Sequence, residues 1–159
     1  MEQSRTPKQK CCNSMIILGV DPGVYGAMAF VNDDRTTTPI VFRMPMDGTG
    51  RHGYDLPTIM DIIFDILPEK LIIEKVTRPA SLVRCMGLFE GIGAGLEIET
   101  HTVRPQEWKR YYGLSKNKQE SIDLALEHYP SLDNEITKIS DDGIAEAVLI
   151  AEYGYVIDG

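Results

Sequence analysis

Apolar residues open this chain in short unbroken runs separated by turn residues, then recur at helical spacing. The runs at 15–20, 27–31 and 40–44 read as three strands. Gly23 and Gly26 form the first turn and Asn32-Asp33-Asp34 the second. Three glycines between Asp47 and Gly53 predict a mobile loop. Leu56, Ile59, Ile63, Ile66 and Leu67 share one helical face, predicting a helix over 56–67 that ends at Pro68. A short buried strand follows at 71–74. The pattern then predicts a glycine-bearing helix at 82–96, a fifth strand at 100–103, and helices at 105–112, 116–129 and 141–156. There are no internal repeats. Three hairpin-linked strands followed by alternating helices and strands are the element order of an α/β, ribonuclease-H-like fold. That fold has a five-stranded mixed sheet flanked by helices, with the first strand central.

Four acids stand out against this pattern. Ile17-Leu18-Gly19-Val20 delivers Asp21 to a strand end, and Pro22-Gly23 stops the chain just past it. Leu71-Ile72-Ile73 delivers Glu74 in the same way. Asp142 and Glu146 lie four apart in the last helix, on one stripe with Leu149 and Tyr153 at about 100° per residue. Asp141 falls about 140° from Glu146 on the same geometry. Asp142 is therefore the better partner, and Ser140 and Asp141 read as capping residues. Glu146 sits among Ala145, Ala147 and Val148, where an unpaired carboxylate would be costly. Four acids on three elements, each at the edge of an apolar segment, suggest one metal-binding cluster. Hard carboxylate oxygens suit magnesium. Two such ions about 4 Å apart can activate water and stabilise a leaving oxygen in phosphodiester hydrolysis. His52, His101 and His128 are scattered and read as surface or loop residues.

Composition adjusts this picture in three places. The 159 residues suffice for one folded domain, 15–159, after a polar stretch at 1–14 that reads as a disordered tail. No apolar run approaches the ~20 residues a membrane span needs. Cys11, Cys12 and Cys85 form neither a disulfide framework nor a zinc pattern, which favours a reducing compartment and an intracellular, soluble protein of host cytoplasm, nucleoid or organelle. The net charge of −8 argues against a nucleic-acid partner, but the charge is segregated. From Glu120 to the end, ten acids face Lys138 alone, whereas from Arg104 to Lys118 five bases face Glu107 alone. Lys75, Arg78 and Arg84 form a second basic stretch after Glu74. One face could thus meet a phosphate backbone. Lys109, Lys116 and Lys118 are phosphate-contact candidates. Trp108 is a core anchor or a stacking residue. Gly87, Gly91 and Gly95 form a stripe that permits close approach to the sheet or to a second subunit.

Asp-Pro-Gly at 21–23, Ile-Glu-Lys at 73–75, Pro-x-x-Trp-Lys at 105–109 and Asp-Gly-x-Ala-Glu-Ala at 142–147 together resemble RuvC-like Holliday junction resolvases. The likeness is to the compact phage, viral and organellar branch, and covers nearly everything from Met15 onward. It implies a homodimer that cuts four-way DNA junctions by paired symmetric nicks, with bound magnesium or manganese and no nucleotide cofactor. By position, the family's catalytic and metal-binding acids fall on Asp21, Glu74, Asp142 and Glu146. The basic stretch lies beside the cleft, with Arg78 and Arg84 on the catalytic side. One departure is visible: bacterial members place the last two acids three apart, and here they are four apart with Glu as the final one. Both spacings keep the pair on one helix face. A sugar-kinase-like ATPase shares the turn after the first strand, but 159 residues leave no space for its second lobe. A related nuclease on other branched DNA or on RNA, and a non-catalytic junction binder, are the remaining alternatives.

Overall fold

The computed structural model describes residues 14–157. The tail expected at 1–14, with Cys11 and Cys12, lies outside the described residues apart from Ser14. Five strands form one sheet: β1 (Ile16–Asp21), β2 (Ala27–Asn32), β3 (Ile40–Arg43), β4 (Lys70–Glu74) and β5 (Glu99–Val103). Their spatial order is β3-β2-β1-β4-β5. β1 pairs antiparallel with β2 and parallel with β4, so the sheet is mixed and its first strand is central, as the element order predicts.

Both faces of β1 are dry because its sequence has no polar alternation. Leu18, Val20, Met28, Phe30, Leu71 and Ile73 point to one face, where they meet Ile59 and Ile63 of α1 (Leu56–Ile66) and Cys85 and Phe89 of α2 (Ala80–Gly95). Ile17, Ala27, Ala29, Val31 and Ile72 point to the other, as the period of two requires. That second face is covered by α4 (Lys118–His128) and α5 (Asp142–Tyr153), with Trp108 of α3 (Pro105–Tyr112) at its edge. No helix among the described residues is long and apolar enough to cross a membrane.

The last helix lies unusually close to the central strand. A Cβ placed on Gly19 would run into the Ala147 carbonyl and stand 2.5 Å from the Ala151 amide nitrogen. Glycine on the strand, with alanines on the helix, permits this contact. It sets α5 along β1 so that Glu146, one residue before Ala147, lies beside the strand's acidic end.

Local chemistry explains most departures from the expected boundaries. Asp55 caps α1 by accepting from the Thr58 amide at 3.2 Å, and Leu67 ends it in the left-handed region before Pro68. α4 starts at Lys118 rather than 116 because Asn117 caps it, accepting from the Gln119 amide at 3.0 Å. α2 starts two residues early, directly after the extended Pro79. Two short 3-10 helices, Pro130–Asn134 and Ile139–Asp141, fill the segment before α5 and were not anticipated.

Gly19→Ala should therefore destabilise the protein by about 3 kcal/mol or more, the upper end of overpacking costs. Urea unfolding of the variant measures this directly; an unchanged midpoint would show that α5 can retreat without loss.

Candidate metal centre

Asp21 ends β1, and Glu74 ends the parallel neighbour β4 in nearly the same register, with Val20 opposite Ile73. Glu146 arrives from α5 on the covered side. One carboxylate oxygen from each of Asp21, Glu74 and Glu146 lies within 4.8 Å of the other two. Among the described residues this is the one group of three or more such ligands.

Each acid is held. The turn after Asp21 closes through the Gly26 amide, which donates to the Gly23 carbonyl at 3.0 Å, and Gly23 adopts φ +120°, where a side chain would be strained. Glu74 accepts at Oε2 from the Trp108 indole Nε1, 2.8 Å away. Trp108 is fully buried, which settles it as a core anchor and removes it as a stacking surface. Its grip on Glu74 was not expected from the sequence, although a buried indole needs an acceptor and the signal was present in that need. Lys109 Nζ stands 3.2 Å from Glu146 Oε1 and 5.3 Å from the Trp108 ring centroid. One short helix thus supports two of the three acids.

Asp142 flanks the three without joining them: its Oδ2 lies 3.3 Å from Lys118 Nζ, and it shares a cavity wall with Asp21. Asp141 points elsewhere. It is 1% exposed, accepts from Arg43 Nη2 at 2.5 Å, and takes the Thr137 and Lys138 amides at 2.9 and 3.2 Å. Capping was the expected role for Ser140 and Asp141, but neither side chain caps α5. Asp141 turns back instead and caps the preceding 3-10 helix through the Lys138 amide. Burial works against its ionisation, yet Arg43 and those amides hold its carboxyl down to about 2.

The remaining expected residues divide clearly. Lys109 and Lys118 are drawn onto acids of the site. Lys75, Arg78, Arg84 and Lys116 are exposed and have no carboxylate partner among the described residues. His101 pairs with Glu99 at 2.8 Å. His128 is not a surface residue: it is largely covered, with Nδ1 2.7 Å from Glu152 Oε2, because α4 packs its last turn against α5. Tyr25 and Arg51, which the sequence pattern did not single out, line the same cavity as Asp21 and Asp142.

Electrostatics show what the cluster lacks. Burial pushes Asp21 well above the usual carboxylate range, and the charges of Glu146, Glu74 and Asp142 push it further, with Lys109 opposing. Burial and the Glu146 charge raise Glu74 to about 7, against the Trp108 hydrogen bond and Lys109. Glu146 is raised mainly by burial, opposed by Lys109. Three crowded carboxylates with hard oxygen donors and a deficit of positive charge fit a divalent cation.

Sheet order and helix arrangement together are those of a ribonuclease-H-like fold. The Thermus thermophilus RuvC structure superposes with a TM-score of 0.60 at 14% identity, over 89% of this chain and 96% of that one. The fowlpox virus Holliday junction resolvase gives 0.62 at 18% identity, over 90% of this chain and 100% of that one. The same viral resolvase in complex with substrate Holliday junction DNA gives 0.64 at 18% identity, over 89% and 100% of the two chains. No protein-family model and no curated protein matches the chain by sequence.

Raised carboxyls bind protons more tightly in the folded than in the unfolded state. Stability contributed by the protonated cluster is present below the unfolded values and is lost as pH rises through the folded ones. In chelator, thermal stability should therefore fall as pH rises from about 4.5 to about 7, the window Glu74 defines. Glu74→Gln keeps an acceptor for Trp108 and should shrink that fall while raising the neutral-pH melting temperature. Calorimetry across the window checks both; a flat wild-type profile would contradict the assigned strain.

Proposed function

We propose that the chain is a metal-dependent, structure-specific endodeoxyribonuclease that resolves four-way DNA junctions by paired symmetric nicks. The supporting observation is the convergence of Asp21, Glu74 and Glu146, flanked by Asp142, at the acidic end of the central strands in a fold shared with solved junction resolvases. Asp21, Glu74 and Glu146 would hold divalent ions, with Asp142 as a further ligand, and such ions would supply activation of the attacking water and stabilisation of the leaving oxygen. Trp108 keeps the Glu74 carboxylate aimed at the site. Lys109 keeps a positive charge beside it, within reach of a phosphodiester entering the cleft. Lys75, Arg78, Arg84, Lys116 and Lys118 supply the exposed charge that positions the backbone of branched DNA.

Paired nicks require two active sites, and the reading includes a two-fold homodimer. Gly87, Gly91 and Gly95 do not face the sheet. A Cβ on any of them would meet nothing within 4 Å, whereas Gly93 takes the sheet side against Thr100 and Leu71. The stripe instead floors an open groove of about 450 Å³, walled by Leu56, Met60, Leu88 and Leu96. A second copy laid there would bury that apolar surface.

Cleavage of a junction, a flap, a duplex and an RNA–DNA hybrid, with and without magnesium, tests the activity and its substrate. Asp21→Asn should reduce junction cleavage to background and leave binding intact or tighter, since one negative charge beside phosphate is removed. Asp142→Asn should lower cleavage, while Asp141→Asn should chiefly lower the melting temperature by weakening the contacts of a buried carboxylate with Arg43 and the Thr137 and Lys138 amides. Equal cleavage loss from both at full folding would show that the wrong acid has been assigned.

Junction affinity should fall steeply with salt, and Lys116→Ala with Lys118→Ala should weaken it for any sequence while flattening the salt slope by about 2. Light scattering at micromolar concentration should give a dimer for the wild type and a monomer for Gly91→Glu. A strictly monomeric wild type that still makes paired nicks would defeat the dimer.

A further inference from the structure

We propose that Tyr25 is the platform on which a base beside the cut phosphate stacks, with Arg51 holding that strand's phosphate across the same cavity. The inference rests on the nuclease reading above and extends it to residues that reading does not use. Tyr25 lies in the tight turn between β1 and β2, four residues after Asp21. Its backbone is confined on two sides. A Cβ on Gly26 would collide with the Asp21 carbonyl, and a Cβ on Gly143 would stand 2.5 Å from the Tyr25 carbonyl oxygen. The side chain is nevertheless 91% exposed. A ring in solvent on a locked backbone adds almost nothing to the core, and it needs no reordering to receive a flat partner.

The surroundings suit a nucleotide. Tyr25 lines a cavity of about 410 Å³ that reaches Asp21, within the about 300–1,000 Å³ typical of ligand sites. Pro22, Pro79 and Leu82 give it an apolar wall, and Arg51 and Lys118 give it positive charge. Base and phosphate divide along the same line. Lys118 is already engaged by Asp142, whereas Arg51 has no carboxylate partner among the described residues.

Tyr25→Ala, Tyr25→Phe, Tyr25→Trp and Arg51→Ala decide the matter, each with wild-type melting temperature as a control for folding. Single-turnover junction cleavage in magnesium should slow by about 5- to 150-fold in Tyr25→Ala, the span of base-on-aromatic stacking, and recover in the two ring-bearing variants. With calcium replacing magnesium, binding an uncut junction should quench the added indole emission of Tyr25→Trp, since the native Trp108 is buried. Arg51→Ala should lower the salt slope of binding by about 1. Alanine cleavage at the wild-type rate, Phe as slow as Ala, or unquenched emission at saturating junction overturns the stacking role. An unchanged slope overturns the Arg51 role. If the wild type cuts no branched DNA, the nuclease reading itself fails and takes this one with it.

Discussion

The contact between α5 and β1 at Gly19 governs the site more than any single acid does. Only a glycine on the strand and small residues on the helix let the two backbones approach so closely. That approach carries Glu146 to the level of Asp21, and Trp108 packs into the same core layer. Convergence of the three acids is then a by-product of dry packing, and their mutual repulsion is borne by the hydrophobic layers on both faces of the sheet. No hydrogen-bond network of the acids' own could hold them so near one another, since the Trp108 donor and the Lys109 and Lys118 cations leave all three raised.

Much of this was legible from sequence because it depends on local pattern. An apolar run that stops at an acid locates a strand end, which placed Asp21 and Glu74. A carboxylate among alanines and valines betrays a buried function, which placed Glu146. The succession of five strands followed from turn residues and run lengths, and the central place of the first from the fold which that succession matches. The helical-face argument set Asp142 apart from Asp141, and the two do point to different neighbours, but it missed that the buried Asp141 pairs with Arg43, 98 residues away. Periodicity does not encode such distant pairings. The same holds for His128 with Glu152 and for Trp108 with Glu74, each joining side chains on different elements. Lys109 looked like one more surface base because its inward turn depends on where α3 docks.

Charge distribution follows the same division. The acidic C-terminal quarter spans most of α4, the 3-10 turns and α5, and several of its acids are buried and committed within the fold: Asp141 to Arg43, Glu152 to His128, Glu146 to Lys109. The net charge of −8 therefore overstates how negative the cleft is towards an approaching polyanion. Lys75 and Arg78 on the loop after β4, Arg84 on α2 and Lys116 before α4 stay exposed, with no carboxylate partner among the described residues.

Two ion pairs, Lys109 with Glu146 and Lys118 with Asp142, give the site internal counter-ions. A divalent cation entering the cluster would compete with both lysines for the same oxygens. Any lysine displaced becomes available to phosphate, and any phosphate that captures a lysine unmasks a carboxylate for the cation. The two occupancies then favour each other, and by thermodynamic reciprocity each must tighten the other by the same factor. In the proposed nuclease, a polyanion and a divalent cation would then bind as one cooperative event, with the lysines as the shared exchange.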